Sequence, residues 1–353
     1  MRANAVLLAY LSFACGGHRM QSFSRRMPSS PPAESQKKVH RLKSFTSLLL
    51  MHRPSAAGFH TAGPGLRLPK AVAGRAPQPS CFFENLLKME SPDQEMVLPS
   101  QALPGRDRPM MRTTVHCVLH NPMDVVPDGF KVAVFANGCF WGSEKGIWRL
   151  PGGGIYTTAV GYCAGYTPNP NYEEVCTGNT GHTEGVRVVY DPEKISFVDI
   201  LRWFWEAHDP TSGMGQGMDR GTQYRSGFWY FDDEQKALIQ ASKQAYQKAL
   251  KDAKKGLRGQ ITTEIAAASS FDKYGGLWNY AEPMHQQYLA EPYSRKYCSA
   301  QPQCVSLPPF EEWAPPGLEH HAPKLPEAFW KKHAPGKGCK VVYAPTEPIE
   351  FKF

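Results

Sequence analysis

Of the nine cysteines in this 353-residue chain, Cys139 has the setting in which a thiol does chemistry. It lies in Gly138-Cys139-Phe140-Trp141-Gly142, between an apolar run that reads as a buried strand and the start of a helix. A thiolate there would meet the unpaired N–H groups and the positive end of the helix dipole, which lower a cysteine pKa from its free value of about 8.5. Gly138 permits the tight turn that exposes the sulfur, and Phe140 and Trp141 supply an apolar wall. Context alone leaves a buried structural cysteine equally open. Two residues could act on such a sulfur from the segment 178–185: Glu184, as a proton donor with its pKa raised by apolar surroundings, and His182, as the base of an acyl-transfer enzyme. A solvated loop glutamate is the plainer reading of Glu184. The other cysteines, at 15, 81, 117, 163, 176, 298, 304 and 339, are too widely and irregularly spaced for a disulfide scaffold or a metal ladder.

The elements that must position Cys139 start at Lys131. Lys131–Ala136 reads as a buried strand, and Cys139–Trp148 as a short helix after the Asn137-Gly138 turn. Ile155–Gly161 is a second strand, and Val186, Val188 and Tyr190 mark a third that stops at Asp191-Pro192. Ser196 followed by Asp199 is a capping box for a helix carrying Phe197, Ile200, Leu201 and Phe204. Phe228–Phe231 is a short aromatic strand, a long helix runs through Ala237, Leu238, Ala241, Ala245 and Leu250, and Ile261–Ile265 is a further strand. This order predicts a two-layer α/β sandwich with a mixed or antiparallel sheet and a ferredoxin-like core, flanked by extended N- and C-terminal arms. It excludes a Rossmann fold, since no Gly-x-Gly-x-x-Gly joins a strand to a helix. Trp203 and Trp205 cannot face the same way on one helix, so at least one is expected to be partly exposed.

Charge separates these elements from what precedes them. Residues 1–80 carry twelve Lys or Arg against a single acid, Glu34, whereas the other 273 residues carry 28 against 31. The net +8 therefore belongs to a leader, and no stacking aromatics accompany its basic residues, so it does not argue for nucleic-acid binding. The leader, rich in Ser, Pro, Arg and Ala, reads as an organellar presequence, a secretory signal around Ala5–Ala14, or a plain extension, with Met20, Met27 and Met51 as alternative starts. No stretch approaches the roughly 18–20 apolar residues that cross a bilayer. The expected organisation is a basic leader over 1–80, a linker or wrapping arm over 81–130 with a short helix or docking turn at Phe82–Met89, a catalytic domain over 131–296, and a C-terminal extension over 297–353.

Six ordered segments give the chain a resemblance. Gly138–Glu144, Gly161-Tyr162-Cys163-Ala164-Gly165-Tyr166, Gly181-His182-Thr183-Glu184-Gly185-Val186, Asp209-Pro210-Thr211, Gly221-Thr222-Gln223-Tyr224-Arg225-Ser226, and Tyr280-Ala281-Glu282 with His285-Gln286-Gln287-Tyr288-Leu289 are similar to the type A peptide methionine sulfoxide reductases. They cover about residues 131–290, with a looser likeness reaching back through Ala102-Leu103-Pro104-Gly105-Arg106. The resemblance implies an oxidoreductase of protein repair under oxidative stress that reduces the S epimer of methionine sulfoxide, free or in proteins, with no metal or bound organic cofactor. Cys139 would attack the sulfoxide sulfur and become a sulfenic acid, a second cysteine would condense with it to a disulfide, and thioredoxin, or dithiothreitol in vitro, would reduce that disulfide. It also implies Glu184 as proton donor, Tyr172 and Tyr224 as hydroxyl donors, Asp219 as a polar member of their network, and Phe140 and Trp141 as the methyl pocket.

Cys298 is the first choice of resolving thiol, with Cys304 as alternative or relay partner and Cys339 as a further relay candidate. The segment Tyr297–Cys304 is poorer in glycine than the corresponding segment of the family. Two other departures are Cys163, where relatives often carry Ala or Gly, and Gly185, where a branched apolar residue is usual. Cys163 and Cys176 are expected to be small buried thiols, and Gly185 to loosen its loop. A monomer is expected, in the mitochondrion or another organelle if the leader is a presequence, otherwise in the cytoplasm. The competing functions are cysteine-based acyl transfer through His182 and a non-enzymatic redox-sensing module.

Overall fold

The structure is a computed structural model that describes residues 94–111, 113–338 and 340–352, all within the compact unit spanning 76–353. The basic leader, the helix or docking turn expected at Phe82–Met89, and Cys15, Cys81 and Cys339 lie outside the described residues.

The described residues form eight strands: β1 Lys131–Asn137, β2 Ile155–Cys163, β3 Thr183–Tyr190, β4 Gly215–Gln216, β5 Asp219–Arg220, β6 Ser226–Tyr230, β7 Glu264–Ala267 and β8 Trp278–Tyr280. The α-helices are α1 Phe140–Trp148, α2 Tyr172–Cys176, α3 Phe197–Glu206, α4 Asp233–Asp252 and α5 Glu327–His333. Six strands form one sheet in the order β7-β6-β1-β3-β2-β8, antiparallel except for the parallel β6–β7 pair, while β4 and β5 make a small hairpin of their own. This is a mixed α/β sandwich, with a strand at Trp278–Tyr280 and a five-residue helix at α2 that are too short to show a period in the sequence.

β1 is the axis of the sheet, and its alternation explains both faces. Ala133 and Phe135 point into the large core shared with α1, α3 and α4, while Val134 and Ala136 pack with Trp229, Phe271 and Leu277 on the opposite face. Burial on both sides is what the continuous apolar run of β1 reports. Pairing of Phe135 with Val186 puts the start of β3 beside the end of β1, where the chain turns into α1.

The Ser196–Asp199 capping box forms as the spacing predicts: Ser196 Oγ accepts from Val198 N at 3.0 Å, and Asp199 Oδ2 accepts from Ser196 N at 3.0 Å. All ten residues of α3 are buried, which corrects the expectation that Trp203 or Trp205 is partly exposed. Trp203 faces α1, where a Cβ on Gly146 would lie 1.9 Å from its ring. Trp205 faces α4, donating from Nε1 to Ser242 Oγ at 2.9 Å. The third side, which periodicity assigns to solvent, is covered by the C-terminal segment: Arg202 pairs with Glu327 and lies 4.7 Å from the Trp330 ring.

That segment crosses the whole helical layer. Leu307, Phe310, Leu325, Phe329 and Trp330 are buried in the main core. Further on, Ala344 O accepts from Lys145 Nζ at 2.8 Å, Thr346 O from Trp148 Nε1 at 2.8 Å, and Ile349 N donates to Arg149 O at 2.8 Å, so the chain straps α1. Residues 94–130 hold the other side through Arg106, whose Nη2 donates to Asn169 O at 2.7 Å, and through buried His116.

Candidate active site

Cys139 occupies the N-cap of α1, directly after Gly138, whose φ of +97° turns β1 into the helix. Glu184 reaches it from the adjacent strand. It is the second residue of β3 and not part of a glycine-rich loop, and its Oε2 accepts from Phe140 N, the first helical N–H, at 3.0 Å. Burial raises its pKa to about 8 against that hydrogen bond, with the negative charge of Asp219 adding to the rise. Near neutrality Glu184 is therefore an acid holding its proton next to the cysteine.

The thiol itself departs from the expectation. Burial first, then the charges of Glu184 and Asp219, push Cys139 well above the ordinary thiol value, and the N–H groups of Trp141 and Gly142 only partly offset this. The helix start does favour the thiolate, but the buried sulfur, with a carboxyl nearby, loses more by desolvation than it gains there. The resting nucleophile is a thiol.

Around this pair the structure gathers the other expected residues. Tyr224 closes the 3-10 turn Thr222–Tyr224, and its hydroxyl is pushed upward by burial and then by Glu184 and Asp219. Tyr172 opens α2 after an Asn171–Glu174 capping box, and its backbone N donates to Glu282 Oε1 at 2.8 Å. Its hydroxyl feels both Glu184 and Cys139, and it donates toward Cys176. Cys176 is exposed, which corrects the expectation of a buried thiol there; α2 is only five residues long and turns its last residue outward. Asp219 Oδ1 accepts from Tyr297 Oη at 2.6 Å, and its buried Oδ2 has no hydrogen-bond partner.

Phe140 and Trp141 begin an aromatic recess. Phe140 packs 6.1 Å from Tyr162 and 5.5 Å from His285, and Trp141 stacks on Tyr288 at 4.0 Å and on His285 at 5.8 Å, with Tyr172 5.0 Å from His285 on the open side. Tyr162 Oη donates to Glu282 Oε2 at 2.7 Å, so Glu282 holds both the recess floor and the start of α2. His285, Tyr288 and Glu282 were visible in the C-terminal motif without assigned roles, whereas Tyr297 carried no signal except its place beside Cys298.

Buried Glu144 anchors α1 from behind. It accepts from Gln287 N at 2.9 Å, Gln287 Nε2 at 2.7 Å and Thr158 Oγ1 at 3.0 Å. His116 Nδ1 accepts from Val118 N and Leu119 N, so Nε2 carries the proton and donates to Thr158 Oγ1 at 2.9 Å. The N-terminal arm, β2, α1 and the Gln287 turn thereby share one network.

His182 has no part in the constellation. It lies against Gly165, shares Nε2 with Asn279 Nδ2 at 3.4 Å, and burial lowers it to about 3. An imidazole with this environment is a poor base for Cys139. Cys298 is disulfide-bonded, and its partner is none of Cys117, Cys139, Cys163, Cys176 or Cys304, which are free thiols. It packs with Trp141 and Tyr288 against Leu289 and Val342, so the expected resolving cysteine borders the recess. Cys304 is exposed.

The family model described as peptide methionine sulfoxide reductase matches residues 131–312, just over half of the chain. The chain belongs to the peptide methionine sulfoxide reductase family. It is 50% identical over 217 residues to peptide methionine sulfoxide reductase MsrA of Escherichia coli O81 and equally to that of Salmonella arizonae, each match covering 61% of this chain and 96% of the relative. Among solved structures it is similar to methionine sulfoxide reductase A of Corynebacterium diphtheriae, at 38% identity and a TM-score of 0.51, covering 58% of this chain and 94% of that one.

The two local departures from the family explain each other. Gly185 lies in β3 opposite Gly161, and a Cβ built on it would sit 2.5 Å from Cys163 Sγ. Cys163 is fully buried, as expected, and its sulfur fills the space that a side chain at 185 would take. Gly185 is thus strand backbone made room for by exchange, not a loosened loop.

Proposed function

We propose that this chain reduces methionine S-sulfoxide, free or in proteins, to methionine, with Cys139 as nucleophile and Glu184 as proton donor. The observation that carries the reading is the buried Glu184 carboxyl, hydrogen-bonded to the helical N–H next to Cys139 and holding its proton to about pH 8. A sulfoxide oxygen becomes basic as its sulfur is attacked, and this acid sits where that charge develops. The substrate's methyl and methylene groups would lie in the recess of Phe140, Trp141, His285 and Tyr288, with Tyr172 and Tyr224 donating to the oxygen and the Tyr297–Asp219 pair orienting that side of the site.

The electron count fixes the steps. The Cys139 sulfur bonds to the sulfoxide sulfur while its thiol proton and that of Glu184 exchange onto the oxygen and the carboxylate, so one proton ends on the oxygen. The oxygen passes to Cys139, methionine leaves, and Cys139 becomes a sulfenic acid two electrons more oxidised. The Cys298 thiol then attacks the sulfenic sulfur, water leaves, and a disulfide forms, which a dithiol reductant of the thioredoxin class returns to thiols. Cys298 is disulfide-bonded while Cys139 is a free thiol, a pairing that one more exchange would leave, in which a further cysteine thiolate attacks the Cys298 sulfur and the Cys139 thiolate departs before the reductant acts. Cys304 remains an available relay thiol. The strand order of β6, β1, β3 and β2 supports a ferredoxin-like core, since β-α-β-β-α-β connectivity with all four strands antiparallel is that arrangement. The acid-poor leader supports an address in the mitochondrion or another organelle for the chain.

The test is dithiothreitol-driven turnover of separated S and R epimers by the full chain, beside Cys139→Ser and Cys298→Ser. Turnover of the S epimer alone, abolished by Cys139→Ser, is expected. Cys298→Ser should keep the first stoichiometric reduction but lose turnover with thioredoxin. Reduction of neither epimer by a folded protein with a titratable Cys139 would overturn the assignment.

A further inference from the structure

Among the described residues one group of side chains has metal-ligand spacing, and it lies where the C-terminal extension crosses the helical layer. Glu234 is in the first turn of α4, and His320 and His321 belong to the 3-10 turn Glu319–His321. His321 Nε2 is 3.2 Å from Glu234 Oε2, and His320 Nε2 is 3.9 Å from Glu234 Oε1. The imidazole centroids are 4.3 Å apart, and the ligand atoms all lie within 4.8 Å of one another. In a tetrahedral zinc site with bonds of about 2.0–2.1 Å, neighbouring donors are roughly 3.3 Å apart. The two Glu–His separations are therefore at or near the size the ion requires, and small rotations of His320 complete it.

The donor chemistry is selective. Two imidazoles and a carboxylate suit zinc and its neighbours in the transition series, whereas calcium and magnesium take oxygen ligands. A simple ion pair would account for one histidine on Glu234, but here both histidines approach the same carboxylate, one at each oxygen. His320 is 60% exposed and Glu234 54%, so a fourth position stays open to water.

The ligands are also held in place by other contacts. Ser196 Oγ donates to His321 O, and Asp199 accepts from Lys324 N at 2.9 Å and Leu325 N at 3.2 Å, fixing the turn from below. Glu234 rides on a helix start capped by Asp232, whose Oδ1 accepts from Gln235 N at 2.7 Å. An ion would thus find its ligands on ordered backbone and would not have to order a loop. Both histidines lie beyond residue 312, where the family match ends.

We propose that Glu234, His320 and His321 form a Zn²⁺ site, completed by water, that clips the C-terminal extension to the α3–α4 layer. The test uses the full chain freed of metal, with and without its thiols blocked by methyl methanethiosulfonate, because cysteines also bind zinc. Calorimetric titration with Zn²⁺ should show one equivalent that survives thiol blocking and disappears in Glu234→Ala and in His320→Ala/His321→Ala. Co²⁺ at the same site should give visible d–d absorption without the near-ultraviolet charge-transfer band of a thiolate ligand. Zn²⁺ should slow tryptic cleavage at Lys331 and Lys332 in the wild type and not in the double variant. The metal-free double variant should keep the melting temperature and the dithiothreitol-driven activity of the metal-free wild type. No saturable thiol-independent binding, or binding undiminished in the double variant, would overturn the site; binding without protection of the extension would overturn the clip.

Discussion

Glu184→Gln separates two effects that a general loss of structure would not. Glutamine keeps the volume and can still accept from Phe140 N through its carbonyl oxygen, but it has no acidic proton and no charge at any pH. The negative charge of Glu184 is one cause of the raised Cys139 thiol, so its removal should make the thiolate easier to form. The proton for the sulfoxide oxygen is lost at the same time. Alkylation and sulfoxide reduction should therefore move in opposite directions.

A positioned general acid contributes typically about 10²–10⁴ in rate, which is about 3–5 kcal/mol of barrier. Single-turnover formation of methionine from the S epimer should fall by that factor, while iodoacetamide alkylation of Cys139 at pH 8.5 should be unchanged or faster. The pH profile adds a sign. At pH 6 Glu184 and Cys139 hold the two protons that the step uses, so the wild-type rate should fall as Glu184 loses its proton near pH 8. That limb should be missing from Glu184→Gln. A variant within threefold of wild type in reduction would refute Glu184 as the acid, and alkylation slowed in parallel with reduction would refute the electrostatic account of the thiol.

The remaining predictions test how the site is held. Gly185→Ala should destabilise the protein by about 1–3 kcal/mol through overpacking against Cys163 Sγ, and Cys163→Ala should recover much of that loss, giving a coupling of about 1 kcal/mol or more in a denaturation cycle. Glu144→Ala leaves the donors of Gln287 and Thr158 without their acceptor in the core, and should cost about 2–5 kcal/mol in urea unfolding while lowering kcat through a loosened α1. Glu144 and Glu184 have folded pKa values of about 7 and about 8, above the ordinary 4.5, so the unfolded chain gives up these protons first as pH rises. Their contribution to stability is fully present below about pH 4.5 and is lost up to about pH 8, and Glu184→Gln should flatten its share of that decline in thermal melts.

Much of the scaffold was legible because its signals are local and repeated. β1 is a long apolar run, α3 opens with a capping box, and Gly138 marks the turn between strand and helix, so the place of Cys139 follows from some ten consecutive residues. Elements shorter than a period left no such trace: α2 has five residues and β8 three, yet α2 carries Tyr172 and β8 ends next to the Glu282 that holds it. The recess around Trp141 also escaped a positional reading, because Tyr288 and His285 meet it from more than 140 residues away, although both stood in a motif that could be quoted.

The sign of the Cys139 shift shows the deeper limit. Helix N–H groups act over one turn and can be read from Cys139–Gly142, but desolvation depends on everything that encloses the sulfur, including Glu184 on a neighbouring strand and Asp219 beyond it. The same distinction explains α3. A period of 3.6 residues assigns one face to water only if no later part of the chain covers it, and here Glu327 and Trp330 cover Arg202 from 125 or more residues downstream. In both cases the local rule was right about its own contribution. What it could not contain was the competing contribution from chain that arrives from elsewhere, and for a buried thiol that contribution is the larger one.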